Sequence, residues 1–347
     1  MEPGCKRRKT GEPSEATPWE VLPVLSERES QSVTLMPVYA APVLDKKEAC
    51  RLVKEVSAAY PLGDHPHLKR VRASVDSSHP LEMILCLASP RQEQDSLPSL
   101  AKLFPEGQVG LCGLGEPFLT QVPAFPPLTR PQYEEAALCW PVSFHENKRI
   151  TQAMTGCLFT PSEKAAMQSY MEMAIQVAQQ GAMQGMKPVG AVVVDPAAER
   201  VLAVGHDCRD GFNPLLHAAM VCIDLVAHSQ GGGACSYKDY PACTFLPLDS
   251  SSGCSSFNNG LPYICTGYDM YLTREPCVMC AMALVHSRIE RVFYGVPSAH
   301  GALGTKHHIH SRKDLNHRYE AFRGILEVQC RSLTQVVVLK ESLTESA

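Results

Sequence analysis

Asn213-Pro214-Leu215-Leu216-His217-Ala218-Ala219 and, further along, Glu275-Pro276-Cys277-Val278-Met279-Cys280 are the stretches that decide the fold. Proline is tolerated at the first position of a helix, where its missing N–H would have no partner anyway. Pro276 therefore predicts a helix that opens with Cys277 and Cys280 three apart on one face of the first turn. The positive helix terminus favours thiolate there. Alone, the two cysteines read better as a buried, inert pair. Asn213 as N-cap and Pro214 at N1 predict a second helix start that carries His217. Two such helices rising from one sheet edge would bring one imidazole to two thiolates. That set holds a tetrahedral zinc with one position open, as catalytic zinc sites do.

The neighbouring segments supply such a sheet. Thr160-Pro161-Ser162-Glu163 predicts a capped helix start, followed by a stripe of Met167, Tyr170, Met171, Ala174, Ile175 and Ala178, with Gly181 as its C-cap. Val189–Val194 is a near-continuous apolar run, hence a strand buried on both faces. Arg200–Val204, Tyr268–Thr273 and Arg291–Gly295 read as further strands, and Pro214–Ala227 and Cys277–His286 as helices. Strands alternating with helices predict an α/β domain over 160–335 with a mixed sheet covered on both faces. Residues 229–260, rich in Gly, Ser, Cys and Asn, read as an insertion, and 336–347 as a C-terminal tail.

Upstream, residues 31–125 read as a smaller α+β domain. Val33–Val38, His67–Ala73, Leu81–Leu87 and Pro117–Val122 are candidate strands. A helix opens at Asp45 and Glu48, and a short one covers Leu97–Leu103. The order β-α-β-β-α-β is the ferredoxin-like arrangement. Pro-rich residues 126–159 read as a connector and 1–30 as a flexible tail. Within the tail, Lys6-Arg7-Arg8-Lys9 is either a nuclear localisation signal or a solvated charge run. The tail has no apolar run of the secretory kind.

Composition excludes several classes. The chain has 347 residues, 45% of them hydrophobic, and a net charge of −4 from 32 basic and 36 acidic side chains. It is neither wholly disordered nor globally basic, so contact with nucleic acid would run through local patches. Fifteen cysteines, odd in number and scattered, fit a reducing compartment rather than a disulfide framework. No run reaches the roughly 18 apolar residues of a membrane span.

His217 followed by Pro276-Cys277-x-x-Cys280 is similar to the zinc deaminase signature, H-x-E followed by P-C-x-x-C. With Val189-Gly-Ala-Val, Asn213-Pro214 and Glu275-Pro276-Cys277-Val-Met-Cys280-Ala-Met-Ala, residues 160–330 resemble the cytidine deaminase superfamily and its tRNA adenosine deaminases in particular. The resemblance implies a three-layer domain around a five-stranded mixed sheet, with zinc bound by His217, Cys277 and Cys280. The fourth ligand stays open between water, a side chain and the C-terminal tail. Asn213 would contact a flipped base, although an N-cap role alone accounts for it.

One residue departs from the signature. Ala219 stands where the family has its general acid/base glutamate. A methyl group moves no proton, and losing a positioned acid/base costs about 10²–10⁴-fold. Glu275 lies before Pro276 on the other helix and is expected to cap or pack. An intact ligand set beside Ala219, behind a long N-terminal extension, resembles the non-catalytic subunits of the eukaryotic heterodimeric tRNA wobble adenosine deaminases. The resemblance implies a structural zinc, a catalytic partner subunit, a tRNA substrate with adenosine at position 34, and residence in nucleus and cytoplasm.

Candidate phosphate contacts are Lys69, Arg70 and Arg72, near His67, and Lys306, Arg312, Lys313, Arg318 and Arg323, among His307, His308, His310 and His317. A solvated face is the alternative for each patch. His206, Cys208 and Cys222 show no ligand spacing, and Cys235, Cys243, Cys254 and Cys265 read as incidental. Two rival readings remain: an active deaminase with another proton shuttle, and a zinc-stabilised interaction protein outside tRNA editing.

Overall fold

A computed structural model describes residues 19–74, 79–88, 98–104, 109–246 and 263–333. Lys6–Lys9, Leu97, Cys254 and the tail 336–347 lie outside these residues. The chain forms two compact units, Met1–Ser26 with Gln152–Ala347, and Glu27–Thr151. No helix among the described residues is long and apolar enough to cross a membrane.

The first element, β1 (Leu22–Pro23), belongs to the larger unit. The smaller unit then runs α1 (Glu27–Ser30), β2 (Leu35–Val43), α2 (Ala49–Ala59), β3 (Val71–Ala73), β4 (Leu81–Leu87), α3 (Leu100–Leu103), β5 (Phe118–Pro123) and α4 (Arg130–Cys139). Its sheet has the order β3-β4-β2-β5, antiparallel at each pairing. This is the ferredoxin-like topology expected of the segment. Strand alternation splits the apolar residues into two sets. Tyr39, Ala41, Val43, Met83 and Leu85 pack with Leu52 and Val56 of α2 and Leu103 of α3. Val38, Ala40, Ile84 and Val122 pack with Ala136 of α4 and with Trp140, which is fully buried.

The expected connector at 126–159 is therefore corrected. Its first half covers the second face of this sheet, which would otherwise leave an apolar surface in water. Helix α5 (Lys148–Met154) spans the boundary between the units.

The larger unit continues with α6 (Pro161–Met183), β6 (Gly190–Asp195), β7 (Arg200–His206), α7 (Ala218–Ser229), β8 (Thr244–Phe245), β9 (Asp269–Arg274), α8 (Val278–His286), β10 (Arg291–Val296) and β11 (Glu320–Arg323). The sheet order is β1-β11-β10-β9-β6-β7-β8. Strands β9, β10 and β11 pair in parallel, whereas β6 is antiparallel to both β7 and β9. The expected five-stranded mixed sheet forms its centre, and β1 and β8 add two-residue edges.

Alternation again sets the layers. Ala191, Val193, Met270, Leu272, Val292 and Tyr294 face the core shared with α7 and α8. Val192, Val194, Tyr271 and Phe293 face the core that includes Met167, Met171 and Ala174 of α6. The result is the expected three-layer α/β/α domain.

Helix α6 starts as expected, with a reciprocal cap: Glu163 N–H donates to Thr160 Oγ1 (3.2 Å), and Thr160 N–H donates to Glu163 Oε2 (2.7 Å). Gly181 is not its C-cap. It lies inside the helix, where a Cβ would sit 2.6 Å from Cγ of His206. The reading of 19–30 as part of a flexible tail is corrected as well. Trp19 and Val21 are buried with α6 and β11 residues, and Leu22–Pro23 pairs with Arg323 and Phe322.

Candidate metal centre

The two quoted stretches form the starts of α7 and α8, on the same face of the sheet, and the two helices pack together. Both starts fall later than the sequence suggested. Asn213 is not the N-cap of α7. Its Oδ1 accepts from Leu215 N–H (3.0 Å), so 213–216 is a side-chain-closed turn. His217 is the N-cap of α7 and Cys277 the N-cap of α8. Leaving both ligands in extended backbone at a helix mouth still brings them together. The ligand atoms of His217, Cys277 and Cys280 all lie within 4.8 Å of one another, and Cys277 Sγ is 3.6 Å from His217 Nδ1.

The charge distribution suits a cation. The Cys277 thiol is held down to about 5, first by the hydrogen bond from the Cys280 thiol, then by backbone N–H groups at the helix mouth and by His217. The neighbouring Cys280 is pushed up, first because its thiol donates to Cys277, then by burial and by the adjacent thiolate charge. A soft cation resolves this conflict by binding both as thiolates.

The sequence did not single out Arg209. Its Nε lies 2.8 and 2.9 Å from the two carboxylate oxygens of Asp207, and its positive charge stabilises the Cys280 thiolate. It occupies a loop position with no motif, so only its proximity in the fold marks it.

Ala219, the second residue of α7, is buried and supplies a methyl group where the deaminase signature has an acid/base. Glu275 does not replace it. Glu275 Oε1 accepts from Leu303 N–H (3.0 Å), Gly304 N–H (2.8 Å) and Thr305 N–H (3.1 Å). Its Oε2 accepts from Ser298 N–H (3.0 Å) and from the Thr305 hydroxyl. Burial pushes its pKa up, but these donors outweigh burial and keep it below the usual carboxylate value. Such a carboxylate anchors the 298–305 loop and has no lone pair left for a substrate. Asp207, whose charge also reaches the Cys280 thiol, is tied up by Arg209.

The expected phosphate contacts divide. In the smaller unit only Lys69 is exposed. Arg70 donates to the carbonyls of Ile84 (3.2 Å), Leu85 (3.1 Å) and Tyr60 (2.7 Å). Arg72 pairs with Glu82 at 2.6 Å, donates to the Cys139 carbonyl and stacks 4.2 Å over Trp140. Reading Arg70 and Arg72 as phosphate ligands is corrected, since both guanidinium groups are engaged in holding their own domain together.

In the larger unit Lys306, Arg312, Lys313, Arg318 and Arg323 are exposed. The Arg312–Asp314 pair, at 3.4 Å, is an exposed one and costs little to break. His310 and His317 are structural, with Nε2 of each 2.9 and 2.6 Å from the carbonyls of Val24 and Ile289.

Comparison with known proteins adds the family. The cytidine and deoxycytidylate deaminase zinc-binding region matches residues 164–296, and the tRNA-specific adenosine deaminase TAD3 N-terminal domain matches residues 36–140. The human protein named "Probable inactive tRNA-specific adenosine deaminase-like protein 3" is 56% identical, with 96% of each chain covered. The zebrafish protein of that name is 54% identical, with 96% of this chain and 99% of its own covered. The budding yeast "tRNA-specific adenosine deaminase subunit TAD3" is 28% identical over 75% of this chain and 74% of its own. An α/β/α domain with a deaminase ligand set and no acid/base, behind a TAD3 N-terminal domain, places this chain in the family of inactive tRNA-specific adenosine deaminase-like protein 3.

Proposed function

We propose that this chain is the non-catalytic subunit of a heterodimeric tRNA adenosine-34 deaminase. In this reading it holds one zinc through His217, Cys277 and Cys280, pairs with a catalytic subunit and helps to hold tRNA. The observation that carries the reading is the intact ligand set beside Ala219, with Glu275 and Asp207 both engaged elsewhere. When bound, zinc supplies Lewis-acid polarisation and a rigid link between the two helix starts. Deamination also needs a group that carries protons to the ring and the leaving amine. Among the described residues none is placed to do so at the trio, so chemistry falls to the partner.

Editing one base of a folded RNA divides into extruding that base and gripping the rest. Lys306, Arg312, Lys313, Arg318 and Arg323 in the larger unit, and Lys69 in the smaller, are exposed cations suited to the second task. Asn213 is committed to its turn, which supports a structural role over a base contact. Residence in both nucleus and cytoplasm is part of the proposal, and Lys6–Lys9 is the segment whose deletion would test it by imaging.

The functional test is inosine formation at position 34 of a purified tRNA, with this chain, the catalytic subunit, and the two combined. Activity in the mixture alone is expected. Turnover by this chain alone would establish an active deaminase with another shuttle. Failure to bind tRNA with or without the partner would establish an interaction protein outside editing.

A further inference from the structure

A second cluster of ligand-type side chains lies at the end of β7, apart from the His217 trio. His206, Cys208 and Cys243 are all buried, and their ligand atoms lie within 4.8 Å of one another. The sequence suggested no site here, because Cys243 lies far along the chain in the insertion and Cys222 looked the nearer partner. The fold brings Cys243 in through the segment leading to β8, which pairs with β7. Cys222 instead donates its thiol to the Ala191 carbonyl.

The distances suit one cation. Cys208 Sγ is 3.9 Å from Cys243 Sγ and 3.6 Å from His206 Nδ1. A tetrahedral zinc with bonds of about 2.3 Å to sulfur and about 2.0–2.1 Å to nitrogen sets its ligands roughly 3.8 Å (S to S) and 3.6 Å (S to N) apart. The sulfur–nitrogen spacing equals that of Cys277 and His217 in the trio.

The surroundings are built around the imidazole. Gly181 of α6 leaves room for it, since a Cβ there would meet His206 Nδ1 at 2.7 Å. The ring is fully buried, Nδ1 lies 2.9 Å from the Asp207 carbonyl, and Nε2 has no hydrogen-bond partner. Nδ1, beside the Cys208 thiol, is the nitrogen placed to ligate a cation, in exchange for its contact with the Asp207 carbonyl.

We propose that His206, Cys208 and Cys243 form a second, structural metal site for a thiophilic divalent cation of the zinc class. Binding exchanges two thiol protons for two metal–thiolate bonds. Its effect is to staple the segment before β8 to the end of β7.

The test is zinc stoichiometry of the full chain, purified under reducing conditions and supplied with Zn²⁺, by native mass spectrometry and elemental analysis. Two ions per chain are expected. C243S and H217A should each leave one ion, and the two together none. C243H, which restores a ligand, should keep two, and its Co²⁺ derivative should lose part of the sulfur-to-cobalt absorption.

One ion in the parent chain, removed by H217A, would overturn the proposal and leave the trio intact. A Cys208–Cys243 disulfide, read as a mass two daltons lower and resistance to alkylation, would also overturn it. One ion removed by C243S but not by H217A would support this site and refute the trio. The parent count decides even where a variant fails to fold.

Discussion

Replacing Glu275 separates an anchoring role from a catalytic one. Glu275→Ala removes the acceptor for four backbone N–H groups and one hydroxyl. Gly304 and Thr305 are exposed and Ser298 is half-buried, so these groups find water once the loop loosens. Leu303 is fully buried and its N–H does not. One buried orphan costs about 1–3 kcal/mol, and each broken bond to a charged acceptor about 1.5–3 kcal/mol, partly recovered by solvation. The expected loss is about 3–5 kcal/mol.

Glu275→Gln keeps an oxygen for Leu303, Gly304 and Thr305 but turns an amide N–H toward Ser298 N–H, donor against donor. Its expected loss is about 1–3 kcal/mol. Denaturant unfolding measures both values, and hydrogen exchange across 298–305 localises them. Exchange in that loop should rise in the order parent, Gln, Ala. In the assembled complex, Glu275→Gln should leave the pH profile of inosine formation unchanged. Two variants within about 0.5 kcal/mol of the parent, or a shifted profile, would refute the reasoning.

Acid should unfold the larger unit partly through the same carboxylate. Its folded pKa lies below the ordinary 4.5, so this stability is fully present above the unfolded value and is lost as pH falls through the folded one. Glu275→Gln should flatten that limb of a stability–pH curve below about pH 4.5. Cys277→Ala or His217→Ala should each remove one zinc and weaken pairing with the catalytic subunit. Metal analysis and sedimentation check this, and a zinc-free chain that still pairs and supports editing would contradict it. Lys313→Glu with Arg318→Glu should weaken tRNA binding and reduce the log–log salt slope by about one for each phosphate ion pair removed. Arg70→Ala and Arg72→Ala should instead destabilise the smaller unit and leave that slope unchanged.

The parts legible in the sequence were those set by local rules. The continuous apolar run Val189–Val194, the Thr160–Glu163 cap and the order of elements in both units are readable from short stretches of chain. The trio was legible because two helix mouths carried its ligands, even though each helix begins after the proline rather than at it. Side chains in the loop before a helix serve as well as those in its first turn.

The rest depended on neighbours distant in sequence. Nothing local marks Trp19–Pro23 as an edge of the larger sheet, since its partners are near residue 322. Arg70 and Arg72 look like a basic strand until Glu82, Trp140 and the carbonyls of Tyr60 and Ile84 are placed around them. Gly181 reads as a helix end but is the space that His206 occupies. Cys243 acquires meaning only once β8 pairs with β7.

Whether this chain contributes chemistry is tested most directly with the assembled heterodimer in which the catalytic subunit's own acid/base glutamate is replaced by alanine, supplied in stoichiometric amount over tRNA. Ala219 leaves this chain without a proton carrier. This complex should therefore bind tRNA and form no inosine at position 34 within the time the parent complex edits to completion. Inosine from that complex would show that this chain itself performs deamination.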